Sequence, residues 1–158
     1  LIVIPVFSDT HGFKETIKKC GEIAMGYDFF FHLGDNIKDA LEIEGFCGKQ
    51  GFKVVGNTDI GAKGDEKILL TIKGKRILLC HGHQFGVKSG LTRLSYYCEE
   101  NGIDLAVFGH THVSLITEIN GVKYFNPGSA VLPRGGTIRS YGLISISDEG
   151  IWLEIKSL

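Results

Sequence analysis

A chain of 158 residues, 43% hydrophobic and 22% charged, has the size of one compact domain with a substantial core, so a single domain over residues 1–158 is expected. A formal net charge of −1 excludes the broadly basic surface that neutralises many phosphates along a nucleic acid, so any phosphate chemistry has to be local. Cys20, Cys47, Cys80 and Cys98 are far apart with no C-x-x-C pair, which argues against a thiolate zinc site or a redox dithiol and makes a reducing cytoplasm the default compartment.

The opening Leu-Ile-Val-Ile-Pro-Val-Phe could pass for a short secretory segment. No basic stretch precedes it, however, and it runs straight into Ser8-Asp9-Thr10-His11-Gly12, so it reads as a buried first strand. Pro5 removes a ladder donor there, and a bulge is expected. The pattern then predicts a helix over Phe13–Met25, a strand over Tyr27–Leu33, a helix over Ile37–Gln50 and a strand over Phe52–Val55, a βαβαβ beginning. Beyond Asp65, turn signals at Lys73-Gly74-Lys75, Asn120-Gly121 and Asp148-Glu149-Gly150 predict hairpins and a largely antiparallel second half. Between them a helix is bracketed by Ser89 as N-cap and Asn101-Gly102 as stop, before a strand over Ile103–Phe108. No apolar stretch approaches the roughly 20 residues that span a bilayer. The fold class expected is mixed α/β, two packed sheets with helices outside.

Five polar segments each follow an apolar, strand-like run: Asp9-Thr10-His11-Gly12, Gly34-Asp35-Asn36, Gly56-Asn57-Thr58-Asp59, His81-Gly82-His83 and Gly109-His110-Thr111-His112. Ligands of α/β sheets collect outside the carboxyl ends of strands, so these segments are expected to converge. Glycine is 22 of 158 residues, about twice its usual ~7% share. Gly12, Gly34, Gly56, Gly82, Gly109 and Gly128 stand at predicted strand ends and read as the rim of a cleft. All six histidines, His32 and His83 included, lie in or within three residues of the five segments.

Imidazole and carboxylate suit borderline divalent metals. The candidates Asp9, His11, Asp35, Asn57, His81, His110 and His112 exceed what one tetrahedral ion needs. Two ions sharing a carboxylate, ~3.5 to 4 Å apart, would use them. In extended backbone the first and third side chains of D-x-H or H-x-H share a face, so each such pair is expected to aim inward. Manganese, iron, nickel and zinc all fit these ligands, manganese being favoured.

The ordered set D-x-H, G-D, G-N-x-D, H-G-H and G-H-T-H resembles the calcineurin-like metallophosphoesterases, in particular their compact single-domain bacterial and archaeal branch. The resemblance runs from Phe7 to about Arg134, and Asn126-Pro127-Gly128-Ser129 with Pro133-Arg134 also matches that branch. It implies a single metallophosphoesterase domain built as a four-layer α-β-β-α sandwich. It also implies that Asp9, His11 and His112 hold one divalent ion, that Asn57, His81 and His110 hold another, and that Asp35 bridges them. Water activated between the two ions would attack phosphorus in line, with Asp35, Asn57 and His81 as the central catalytic ligands.

Two departures bear on the substrate. Thr58 stands where the larger superfamily commonly has a histidine near the leaving group, so leaving-group protonation is unassigned and good leaving groups are favoured. The arginine that follows G-D in protein phosphatases is absent from Gly34-Asp35-Asn36-Ile37-Lys38-Asp39, which favours a singly charged diester over a monoester. Asp59 is expected to orient a histidine through its second ring nitrogen. His83 is open between supporting a ligand and touching substrate, His32 reads as a satisfied support histidine, and Asn126, Ser129 and Arg134 are candidates to position a substrate phosphate. The expected partner is a small-molecule phosphodiester, with nucleic acid only as a substrate and no membrane; the oligomeric state is open, a homodimer included. The competing readings are a nuclease or cyclic-nucleotide phosphodiesterase, and a non-catalytic scaffold of the kind found in the retromer sorting subunit.

Overall fold

The computed structural model describes all residues, 1–158. The elements in chain order are β1 (Ile2–Phe7), α1 (Lys14–Ala24), β2 (Phe29–His32), α2 (Ile37–Cys47), β3 (Gln50–Lys53), β4 (Lys67–Ile72) and β5 (Lys75–Cys80). Short 3-10 turns at His83–Phe85 and Val87–Ser89 follow, then α3 (Thr92–Glu100), β6 (Leu105–Val107), β7 (Leu115–Ile119), β8 (Val122–Asn126), β9 (Ser140–Ser147) and β10 (Gly150–Ser157).

The strands form two five-stranded mixed sheets, ordered β10-β9-β1-β2-β3 and β4-β5-β6-β8-β7. Each has three adjacent parallel strands, β1-β2-β3 at one side of the first sheet and β5-β6-β8 at the centre of the second, with antiparallel strands attached. Alternation along the strands sorts side chains into layers. Ile4, Val6, Phe31 and Leu33 of the first sheet meet Ile77, Leu79, Leu105, Val107 and Phe125 of the second in the central core. Phe7 and Phe30 face outward onto Ile17 and Cys20 of α1 and Ala40 and Ile43 of α2. Leu78, Cys80, Ala106 and Tyr124 face outward onto Leu94 and Cys98 of α3. The result is the expected α-β-β-α sandwich. Each such fully buried large apolar side chain contributes roughly 1.5 to 3 kcal/mol, so Phe29-Phe30-Phe31 serves burial on both faces of β2.

Several expectations are corrected. The second half is largely antiparallel through the β4–β5, β7–β8, β9–β10 and β1–β9 pairings, but its β5-β6-β8 centre runs parallel: α3 carries the chain back between β5 and β6, and β7 takes the sheet edge so that β8 returns beside β6. No bulge forms at Pro5. The β1–β9 register is unbroken from Ile2↔Ile146 to Val6↔Gly142. Leu33 N–H donates to Phe7 O, so the odd-numbered residues of β1 direct their peptide groups toward β2. The donor missing at Pro5 therefore faces β2, just before the pairing that begins at Val6↔Phe31. Helix α2 stops at Cys47 because Gly48 turns left-handed (φ 68°), which frees Gln50 for β3. Helix α3 starts at Thr92, since Ser89 is used in the 3-10 turn and Gly90 (φ 126°) breaks the chain direction. No helix is long and apolar enough to cross a membrane.

Candidate metal centre

The parallel strands of both sheets release the five polar segments at their carboxyl ends. Asp9 N–H donates to Gly34 O and His11 N–H to Asp35 O, which fastens the exits of β1 and β2 together. Gly109 N–H donates to His81 O across the exits of β5 and β6, and His110 N–H donates to Asp9 Oδ2 at 3.1 Å, joining the two sheets.

The backbone there is not the extended chain expected from D-x-H alternation. Asp9 (φ 53°), His11 (45°), Asp35 (49°), His110 (71°) and His112 (59°) are five of the seven non-glycine residues with positive φ. The side chains still converge, but through left-handed turns just past the strands. Each such residue costs roughly 1 to 2 kcal/mol, and this concentration of strain in one place is the mark of a site rather than of a loop.

Asp9 is fully buried, and its Oδ1 has no hydrogen-bond partner. The atoms that face it are ring nitrogens: His112 Nε2 at 3.2 Å, His11 Nε2 at 3.8 Å and His81 Nε2 at 3.8 Å. His112 Nδ1–H donates to Leu132 O and His81 Nδ1–H to Leu33 O, both at 2.7 Å. Those bonds set the tautomer and leave the Nε2 lone pairs pointing at the carboxylates. His81 Nε2 also lies 3.4 Å from Asp35 Oδ2 and 3.2 Å from His110 Nδ1, and His11 Nε2 lies 3.4 Å from His112 Nε2. The Nε2 acceptors of His81 and His112 thus face carboxylate oxygens, an arrangement that needs a positive charge among them.

A proton can supply part of that charge. Burial opposes ionisation of Asp35, yet the His81 contact outweighs it and holds the carboxyl well below the usual carboxylate range. Burial likewise opposes charge on His81, but Asp35 and Asp9 lift it above the ordinary imidazole value. Asp9 is also lowered, the His112 and His81 contacts overcoming its burial. His110 goes the other way: burial, His81 and then Lys88 drive it to about 4, so it keeps a free lone pair. The donor set fits divalent cations. Asp9, His11 and His112 bring their ligand atoms within 4.8 Å of one another, and so do Asp9, Asp35 and His81, with Asp9 the shared corner.

Around these residues a supporting layer is built largely from backbone groups. Asp59 orients no histidine; this expectation is corrected. Its carboxylate accepts the N–H groups of Asp35 (3.0 Å), Ile37 (3.0 Å) and Gly56 (2.8 Å), closing the N-terminus of α2 over the Asp35 turn. Asn126 and Ser129 are also corrected, being fully buried and spent on loop support rather than open to a phosphate. Asn126 Nδ2 donates to Gly109 O and Thr111 Oγ1, while Ser129 Oγ donates to Asp9 O and accepts Leu132 N–H.

A second buried network lies beneath. Gly34 N–H donates to His32 Nδ1, so His32 Nε2–H donates to Thr10 Oγ1 (3.0 Å), which donates in turn to Asp39 Oδ2 (2.6 Å). Gly12 N–H donates to the same carboxylate oxygen, so the network fastens both turns that carry Asp9, His11 and Asp35. Burial, against the pull of Asp39, holds His32 down at about 4 from 6.5. The unfolded chain therefore binds more protons between those values, and stability is lost as pH falls through that window. We expect His32 to account for about 2 kcal/mol lost between pH ~6.5 and ~4.5. Urea titrations at both pH values should show His32→Gln flattening the difference by that amount; an equal slope would remove His32 from the account.

A cavity of about 130 Å³ opens onto the cluster, lined by His11, Asp35, Asn57, Thr58, Lys88, His110, His112, Leu132 and Arg134. The expected cage is thus brought together, Asp9 and His81 as the buried floor and the other five on the wall. Arg134 reaches the wall. His83 does not; its ring packs 5.5 Å from His81 and 6.1 Å from His110, with a buried Nδ1 lacking a partner. Sequence reasoning missed Lys88, which lies outside every motif; its one sequence signal is the Gly86–Gly90 bracket after His-Gly-His.

The sequence profile of the calcineurin-like phosphoesterase superfamily domain matches residues 2–149. The chain belongs to this superfamily. The probable metallophosphoesterase YsnB of Bacillus subtilis (strain 168) is 33% identical over 147 residues, covering 91% of this chain and 84% of YsnB. Phosphodiesterase YfcE of Escherichia coli (strain K12) is 31% identical over 112 residues, 71% of this chain and 55% of YfcE. A solved phosphoesterase-type protein of Streptococcus pneumoniae TIGR4 superposes with TM-score 0.85 at 25% identity, covering 99% of this chain and 89% of its own. Zinc-complexed Vps29 of Entamoeba histolytica, at 20% identity and TM-score 0.77 over 98% of both chains, shares the fold.

Proposed function

We propose that this chain is a phosphodiesterase working with two divalent cations held by Asp9, His11, Asp35, Asn57, His81, His110 and His112, manganese being the favoured metal. The observation that carries the reading is Asp9 Oδ1, buried, without a hydrogen bond, and faced by ring nitrogens of three histidines. When bound, such cations activate water and stabilise charge on the phosphoryl and leaving oxygens.

The chain's own groups prepare the site. Leu33 O and Leu132 O hold the rings of His81 and His112 in one tautomer. Thr58 N–H fixes Asp35 Oδ1 at 3.1 Å. Water is the nucleophile because the hydroxyls of Ser8, Thr10 and Ser129 are committed to Asp9 and Asp39, and burial pushes the Cys20 and Cys80 thiols up. Thr58 on the wall brings no imidazole acid, which favours good leaving groups. The phosphodiesterase name of YfcE favours diesters. The Vps29 likeness keeps a scaffold as the second reading; the complete donor set speaks for catalysis.

The test strips the protein with chelator, restores Mn2+, Ni2+ or Zn2+ separately, and compares bis-p-nitrophenyl phosphate with p-nitrophenyl phosphate. Metal-dependent turnover, faster on the diester and reduced at least about a hundredfold in Asp35→Asn, is expected. A folded protein inactive with every metal would put the scaffold first, and faster monoester turnover would overturn the diester assignment.

A further inference from the structure

We infer that Lys88 and Arg134 form a subsite for a second phosphate on the substrate, next to the scissile diester. The inference deepens the phosphodiesterase reading and rests on it for the position of the scissile group. Both side chains line the same cavity as His11, Asp35, Asn57, His110 and His112. Neither is in an ion pair, so both charges are available to a ligand in the cavity. The one acid on the cavity wall, Asp35, is taken up by Thr58 N–H and His81.

Their backbones are held while their side chains are exposed. Val87 is buried in the outer core against Gly82, where an added Cβ would meet it at 2.8 Å, and this anchors the turn that presents Lys88. Arg134 N–H donates to His112 O at 2.9 Å, and Thr137 N–H donates back to Arg134 O. Charge balance asks for more than a simple diester: two divalent cations against Asp9 and Asp35 already leave a positive surplus, to which Lys88 and Arg134 add. A diester brings a single negative charge, while a further phosphate brings about −1.5 to −2 more. A guanidinium fork and an ammonium on the wall of one cavity are suited to hold it.

The test reads binding as well as turnover. Metal-restored protein is titrated calorimetrically with thymidine 3′,5′-bisphosphate and thymidine 5′-phosphate, and assayed on thymidine 5′-(p-nitrophenyl phosphate) with and without a 3′-phosphate. The wild type is expected to prefer the 3′-phosphorylated member by about tenfold in both Kd and KM, the size of one charge-assisted contact. Lys88→Met and Arg134→Met should each reduce the ratio and together bring it near unity. Lys75→Met, at the opposite end of β5 from His81, should keep it. Equal binding of the paired ligands by the wild type, or an unchanged ratio in the double variant, overturns the subsite. A selective loss of p-nitrophenyl phosphate turnover in Lys88→Met also overturns it, assigning the cation to the scissile group instead. Because the Kd ratio is read without turnover, an inactive protein fails the phosphodiesterase reading while the subsite is still decided.

Discussion

Gly56→Ala is expected to lower metal-dependent diester turnover by about a hundredfold, the cost of moving a reacting group by about 1 Å, while the protein stays folded. An added Cβ at Gly56 would collide with Asp35 Oδ1 and lie 2.8 Å from both Cγ and N of Asp35. The backbone cannot retreat. Gly56 N–H is held by Asp59 Oδ2 at 2.8 Å, and on the other side Gly34 approaches so closely that its own added Cβ would stand 2.5 Å from Gly56 N. The Asp35 side chain has to swing away, giving up Thr58 N–H and its place beside His81. Bound metal and kcat/KM on bis-p-nitrophenyl phosphate, read with a urea midpoint, check this. Wild-type turnover in a folded Gly56→Ala protein would show that the Asp35 position is not limiting.

The same contacts show what the sequence could reveal. Strand-like runs before Asp9, Asp35, His81 and His110 were legible because strands buried on both faces are near-continuously apolar. The Asn120-Gly121 hairpin was legible because both residues adopt positive φ, 50° and 81°. The parallel pairing of β5, β6 and β8 was not, since it depends on where α3 packs between β5 and β6 and on β7 taking the sheet edge beyond β8, and no local residue encodes either. Nor were the left-handed turns at Asp9, His11 and Asp35, because aspartate and histidine pay for that conformation only through contacts made in the folded state. Donor chemistry and order were enough to nominate the seven cage residues that the fold brings together. Lys88 carried no comparable signal: lysine is usually a solvated surface residue, and only the cavity distinguishes it.

Asp59 illustrates the limit most clearly, and its replacement should have the largest effect on stability. A carboxylate two residues after Asn57 suggested a partner for a histidine ring, but the strand exits place it under the Asp35 turn, where three N–H groups point at it. Asp59→Ala leaves the amides of Asp35, Ile37 and Gly56 without an acceptor and removes a negative charge from the N-terminus of α2. Partly buried donors left in this way cost about 1 kcal/mol or more each, so a total near 3 kcal/mol is expected from urea unfolding of the metal-free protein. Asp59→Asn keeps one acceptor oxygen and should lose about half as much. The same change loosens Asp35, so metal affinity by equilibrium dialysis should fall in the order wild type, Asn, Ala. If both variants unfold at the wild-type urea concentration, Asp59 does not hold this turn, and the positive φ at Asp35 must be sustained by the Gly34–Gly56 contact alone.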